Sequence, residues 1–204
     1  MALKKRVTNN TFGLLADLYA RMEAAYNATA ATAGLTCAGC ETNCCVSYFQ
    51  HHTYAEWIYL HKGIRLLAPK TREALFARAE KYMARVKECL ARNELPDAMC
   101  PVNENGRCTL YAHRLMICRM HGTKNIMRLP NDPTGKVETF PGCTRYVNLC
   151  GNADTNALPP LDRTPFYQEL AALEGQVRSR TQVQLARVNM TIAEMVLAGP
   201  PVLR

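Results

Sequence analysis

Cysteines at positions 37, 40, 44 and 45 place four thiols within nine residues, in the run Cys37-Ala-Gly-Cys40-Glu-Thr-Asn-Cys44-Cys45. No other feature restricts the chain so strongly. Two cysteines separated by two residues can turn both sulfurs inward from one tight turn. Gly39 suits that turn because it accepts positive φ and lets backbone N–H groups approach sulfur. Adjacent Cys44 and Cys45 cannot readily both form local disulfides, and a chain of 204 residues buries an ordinary core without covalent staples. The block therefore reads as a metal-ligand set before it reads as a redox pair or a disulfide framework.

Composition supports a folded chain in which such thiols stay reduced. Hydrophobic residues at 48% and charged residues at 21%, with 11 Gly and 11 Pro, exclude disordered and collagen-like classes. Met1 to Val7 carries a basic cluster but runs into Thr8, Asn9, Asn10 and Thr11, without the apolar stretch of a secretory signal. No segment approaches ~18 consecutive apolar residues, so no membrane span is expected and the expected location is the cytoplasm. The formal charge of +8 would suit an acidic partner. The basic residues are spread through helical segments with no concentrated patch or interleaved aromatics, so nucleic acid is not expected. No dinucleotide fingerprint, phosphate-cradling glycine loop or Ser-His-Asp order is present, which leaves any chemistry to the cysteines.

Periodicity predicts a mainly α fold, a helical scaffold with a loop-rich cysteine region and at most a short β-hairpin, forming a single domain over 1–204. Phe12, Leu15, Leu18, Tyr19, Met22 and Tyr26 share one helical face over Thr11–Asn27, followed by a small-residue linker from Ala28 to Gly34. Thr53-Tyr-Ala-Glu56 has capping-box spacing and starts a second helix that Gly63 interrupts. A third helix over Thr71–Asn93 carries Leu75, Ala79, Tyr82, Met83, Val86 and Leu90. Residues 96–151 are rich in turns, and Asn105-Gly106 closes a hairpin whose second strand starts at Cys108. Over 164–204 the chain returns to helix: Thr164-Pro165 opens one helix to about Arg180, and Thr191-Ile-Ala-Glu194 opens a short last one.

The turn-rich region supplies further thiols at Cys100, Cys108, Cys118 and Cys143, each where the chain can bend around an ion. Cys89 lies on the apolar stripe of the third helix and reads as a core thiol, whereas Cys150 is open between ligand and bystander. His51, His52 and His121 are alternative ligands with polar surface as the competing reading, and His61 and His113 have weaker claims.

Cys37 to Cys45, followed by Cys100-Pro101, Cys108-Thr-Leu-Tyr111, Arg114 and Cys118-Arg119, resembles the zinc- or iron-chelating CxxCxxCC family of bacterial cysteine-cluster proteins. The resemblance covers residues 37–143, half of the chain. Its second block, C-x-[IL]-Y-x-x-R-x-x-x-C-R, is met by Cys108, Leu110, Tyr111, Arg114, Cys118 and Arg119. Three residues separate Cys40 from Cys44 where the family name implies two, which leaves open which of Cys44 and Cys45 faces the metal.

The resemblance implies metal binding through Cys37, Cys40, Cys44, Cys45, Cys100, Cys108, Cys118 and Cys143. It implies either an iron–sulfur cluster, with 4Fe-4S favoured, or Zn2+, in a redox, sensing or assembly role with a protein or redox partner. Arg114 and Arg119 are expected beside the cofactor, where guanidinium groups balance thiolate charge. The alternatives are a zinc-stabilised interaction module and a protein-lysine methyltransferase related to flagellin lysine methylases.

Overall fold

The computed structural model describes residues 2–37, 44–129, 132–151 and 158–203, with side chains from Thr11 onward. The protein is mainly α, as the periodicity predicts. Its helices are α1 (Ala2–Thr32), α2 (Tyr54–Leu66), α3 (Pro69–Ala91), α4 (Met116–Met120), α5 (Thr144–Cys150), α6 (Thr164–Arg178) and α7 (Ile192–Ala198). Strands β1 (Asn103–Glu104) and β2 (Arg107–Cys108) form a hairpin. Strand β3 (Asn125–Arg128) lies between antiparallel β4 (Val137–Phe140) and parallel β5 (Leu161–Asp162). None of the helices is long and apolar enough to cross a membrane, among the described residues. The chain divides into two compact units, each made of two separated segments: 1–44 with 118–173, and 45–117 with 174–204.

The first unit is organised by α1. Leu15, Leu18, Tyr19 and Met22 are buried, as their three- and four-residue spacing requires, and Leu161, Leu170 and Leu173 are buried in the same unit. The helix does not fade at Asn27. Alanine is the best helix former, and the two threonines expected to loosen the segment bond locally, Thr29 Oγ1 to the Ala25 carbonyl and Thr32 Oγ1 to the Thr29 carbonyl. Gly34, at φ +62, then stops it. The Leu35 amide reaches back to the Ala30 carbonyl and the Gly34 amide to the Ala31 carbonyl, which together form a Schellman ending. Thr164 does not cap α6 as expected. Its hydroxyl accepts the Arg128 amide of β3, while Asp162 accepts the Thr164 amide.

The second unit is built on α2, α3 and α7. Thr53 caps α2 by accepting the Glu56 amide. The Glu56 carboxylate accepts the Thr53 hydroxyl and, at 2.7 Å, the Met116 amide, so a buried acid is satisfied from two directions. Gly63 does not interrupt α2. A glycine costs about 1 kcal/mol against alanine inside a helix, but a Cβ here would stand 2.6 Å from Cγ of His113, so close packing outweighs propensity. Helix α3 begins two residues before the expected Thr71, with Pro69 in the first turn, and buries Leu75, Ala79, Tyr82, Val86 and Cys89. Leu90, expected on that stripe, is exposed. Thr191 and Glu194 complete the expected capping box on α7, which packs on α3. Trp57 and His61 of α2 tie to the same end of the unit: the indole donates to the Gly199 carbonyl at 2.9 Å, and Nε2 of His61 lies 2.8 Å from the Met195 carbonyl.

His51 bridges to Met190 through two backbone hydrogen bonds, and its imidazole is buried with Nε2 meeting no hydrogen-bond partner among the described residues. Burial, helped by the neighbouring His52, lowers its pKa to about 3. The folded chain therefore binds fewer protons here than the unfolded chain between about pH 3 and the ordinary histidine value near 6.5. Stability is full above that value and falls by up to about 1.4 kcal/mol per pH unit below it. Urea unfolding at pH 7 and pH 5 is expected to show a shallower acid loss in His51→Gln than in the parent chain.

Candidate metal centre

In the first unit, the thiols are arranged around a tyrosine that the sequence placed only on an apolar stripe. The Tyr26 phenol, near the end of α1, has its pKa raised first by burial and then by the Cys37 thiol, through both charge and a hydrogen bond. Cys143 and Cys44 act on the same phenol. Thiols from two separated stretches of chain therefore act on one phenol, Cys37 through a hydrogen bond and charge, Cys44 and Cys143 through charge. Cys37 and Cys44 are exposed and Cys143 is half-buried.

Two glycines make this arrangement possible. A Cβ on Gly122, at φ +142, would meet the Tyr26 hydroxyl at 2.2 Å. A Cβ on Gly142, at φ +96, would meet the Gly122 carbonyl at 2.7 Å. That close passage brings the Cys143 amide to the Gly122 carbonyl at 2.9 Å. Cys143 then takes the cap position of α5, and its sulfur accepts the Tyr146 amide at 3.4 Å. The sequence marks residues 96–151 as rich in turns, without revealing that the one at Pro141-Gly142 closes on Gly122.

The second unit holds a separate thiol group. The Cys100 amide donates to the Cys45 carbonyl at 2.8 Å, fixing these two residues side by side. Cys100-Pro101-Val102 then turns, with the Asn103 amide on the Cys100 carbonyl at 2.9 Å, and Asn103 pairs with Cys108 across the β1–β2 hairpin. Positive φ at Asn105 and Gly106 closes that hairpin as Asn-Gly spacing predicts, although its second strand is Arg107–Cys108 rather than Cys108–Tyr111. Arg78 of α3 donates to the Pro101 carbonyl at 2.7 Å, anchoring the turn. Burial pushes the Cys100 thiol up to about 12. The Val102 N–H opposes that rise, and the charges of Cys45 and Cys108 add to it. Tyr82 of α3 is also raised, by burial and then by Cys100.

The remaining candidates are placed as follows. Cys40 lies outside the described residues. Cys118 is half-buried on α4, next to Arg119, whose buried guanidinium stacks 4.3 Å over Tyr19 and lies 3.8 Å from the Glu23 carboxylate. Arg114 stacks 3.9 Å over Tyr111. Cys89 is a core thiol, as its stripe position predicts, with its sulfur 3.6 Å from Asp97. Cys150 is buried on α5 and faces Tyr146, which places it in the core of the first unit. His61 and His113 are held by α2: His61 at the Met195 carbonyl, His113 4.8 Å from the Tyr59 ring. His121 is partly buried, and burial lowers its pKa.

Among the described residues, no group of three or more His, Cys, Asp or Glu side chains is drawn together tightly enough to hold an ion. Thiols are the donors a thiophilic metal prefers: Cys37, Cys44 and Cys143 act on the Tyr26 phenol, and Cys45 and Cys108 on the Cys100 thiol. No family model, curated protein or solved structure matches the chain.

Gly142→Ala is expected to destabilise the first unit by about 1–3 kcal/mol, because the added methyl strains a positive φ and meets backbone rather than a movable side chain. Gly135→Ala, also at positive φ but with nothing within 4 Å of its Cβ, serves as the control. Urea midpoints are expected to fall further for position 142 than for position 135.

Proposed function

We propose that this chain is a metal-binding protein whose cysteine thiolates hold an iron–sulfur cluster, in a redox, sensing or assembly role. The observation that carries the reading is the convergence on Tyr26 of thiols that are distant in sequence, Cys37 and Cys44 on one segment and Cys143 on another. Incidental core cysteines are not expected to be exposed, to come from separate segments, and to interact through a common phenol. The sequence resemblance to bacterial cysteine-cluster proteins supports the same reading.

When bound, such a cluster supplies reversible one-electron chemistry at a potential set by charge, burial and hydrogen bonds to sulfur. The chain's own residues would then do the following. Cys37, Cys44 and Cys143 provide thiolates from the first unit, and Cys45, Cys100 and Cys108 from the second. The Tyr146 and Val102 amides donate to sulfur and stabilise its charge. Tyr26 and Tyr82 would place a phenol beside the thiols. Loading requires thiol protons to leave, so affinity falls as pH falls.

Zinc uses the same donor set, and in that case the metal would organise an interaction module rather than carry electrons. Anaerobic purification separates the two. Brown protein with broad absorption near ~400 nm, iron and acid-labile sulfide is the expected result. Colourless protein with stoichiometric zinc would replace the cluster with the structural ion. Metal analysis of variants provides the residue-level check. Cys37→Ser and Cys108→Ser are expected to lose metal, whereas Cys89→Ser and Cys150→Ser, which alter core thiols, keep the parent content.

A further inference from the structure

We infer that Arg163 anchors a binding site for a small oxyanion, a phosphate or carboxylate group, where β5 runs into α6 in the first unit. The inference involves no cysteine and goes beyond the metal-binding reading.

Arg119 and Arg163 are the buried arginines among the described residues. Arg119 has the Glu23 carboxylate at 3.8 Å, whereas Arg163 makes no ion pair and its Nε meets no hydrogen-bond partner among the described residues. Only 5% of Arg163 is exposed, and an ionised group taken this far from water without a counter-charge is destabilising. Burial accordingly lowers its pKa from the ordinary arginine range, and the charges of Tyr167 and Glu138 oppose that shift. Glu138, on β4, acts by charge alone and forms no ion pair with it.

The packing around the guanidinium leaves its donors free for a ligand. Its central carbon lies 3.6 Å from the centre of the Phe140 ring. At that separation the guanidinium lies flat on the ring, since an edge-on approach would drive N–H hydrogens into the ring carbons. Tyr167, in the first turn of α6, supplies a second ring at 5.3 Å. Stacking of this kind satisfies a face of the cation, while the N–H donors point outward in its plane. Those in-plane donors are the ones that a phosphate or carboxylate accepts in pairs. Phe140 and Tyr167 are themselves half-buried, so the walls of the site reach the surface.

The neighbouring backbone has the same sign. Arg163 immediately precedes α6, whose first turn carries no acidic residue, so the positive end of that helix lies beside the guanidinium. Asp162, the adjacent acid, is committed elsewhere: it accepts the Thr164 amide at 2.9 Å and pairs with Arg128. The backbone of Arg163 is also satisfied, its amide donating to the Ile126 carbonyl at 3.0 Å and its carbonyl accepting the Tyr167 amide at 3.1 Å. The side chain is the part that remains for a ligand.

The test uses the full-length, reduced protein in a buffer whose only other anion is chloride. Inorganic phosphate and acetate are titrated separately. Binding is read by calorimetry and by the Nε–H resonances of protein labelled with 15N-arginine, assigned through bonds. Saturable binding that moves the Arg163 resonance is the expected result, and the tighter of the two anions identifies the group the site takes. Arg163→Lys keeps the charge without the fork and is expected to weaken binding about tenfold or more. Arg163→Met is expected to abolish it, and Arg180→Met, at an exposed arginine, to leave it unchanged.

Undiminished binding in Arg163→Met would overturn the inference. So would an Arg163 resonance that neither anion moves beyond the effect of chloride at the same ionic strength. Circular dichroism separates loss of the site from loss of the fold in each variant, and the resonance is read on the parent chain, so that result stands without any variant. Iron, sulfide and zinc analysis decides the metal-binding reading independently of either outcome.

Discussion

A thiol held away from water beside other thiols resists ionisation, because burial and the repulsion of neighbouring negative charge both favour its protonated form. Cys100 shows the conflict within one residue: burial and the fields of Cys45 and Cys108 push its thiol up, while the Val102 amide opposes them. Cys143 is placed at the start of α5, where the Tyr146 amide meets its sulfur. A bound cation would complete what these amides begin.

Backbone geometry, more than side-chain packing, brings these thiols together. Gly122 and Gly142 pass each other closely enough for the Cys143 amide to reach the Gly122 carbonyl, and the same absence of a Cβ lets the Tyr26 hydroxyl approach. In the second unit, one amide joins Cys100 to Cys45, and the Asn105-Gly106 turn places Cys108 opposite Asn103. Replacing a cysteine in either group changes a thiol. Replacing one of these glycines changes the backbone path that positions it.

This accounts for what could be read from the chain beforehand. The stripe on α3 was legible because Leu75, Ala79, Tyr82 and Val86 repeat at helical spacing and are buried on it. The end of α1 was not, because a run of Ala and Thr looks like a linker until the threonine hydroxyls find local carbonyls and Gly34 supplies the positive φ. The sheet was also hidden. Strand β5 is two residues long and pairs in parallel with β3 from more than thirty positions away, too short for any alternation to register. The cysteine blocks stood out in sequence, but which of them lie together depends on hydrogen bonds between residues as distant as 45 and 100. Tyr26 could not be singled out, since an amphipathic helix uses a tyrosine on its apolar face without any chemical purpose.

The basic charge takes on a different meaning in this setting. Arg119 stacks on Tyr19, Arg163 on Phe140 at 3.6 Å, Arg178 on Tyr54 at 5.2 Å and Arg114 on Tyr111. Arg119 and Arg163 are buried, and Arg178 also bonds Glu174 and two backbone carbonyls. These guanidinium groups are engaged with ring faces and internal acceptors, so part of the formal +8 works inside the fold rather than presenting a field to an acidic polymer. Thiolate ligation would reduce the charge further: four thiolates around a 2+ cluster contribute −2, and two four-thiolate zinc sites contribute −4. A chain that appears basic by composition would therefore be closer to neutral if its thiols held metal, and Arg114, Arg119, Arg163 and Arg178 already direct part of its positive charge at ring faces within the fold.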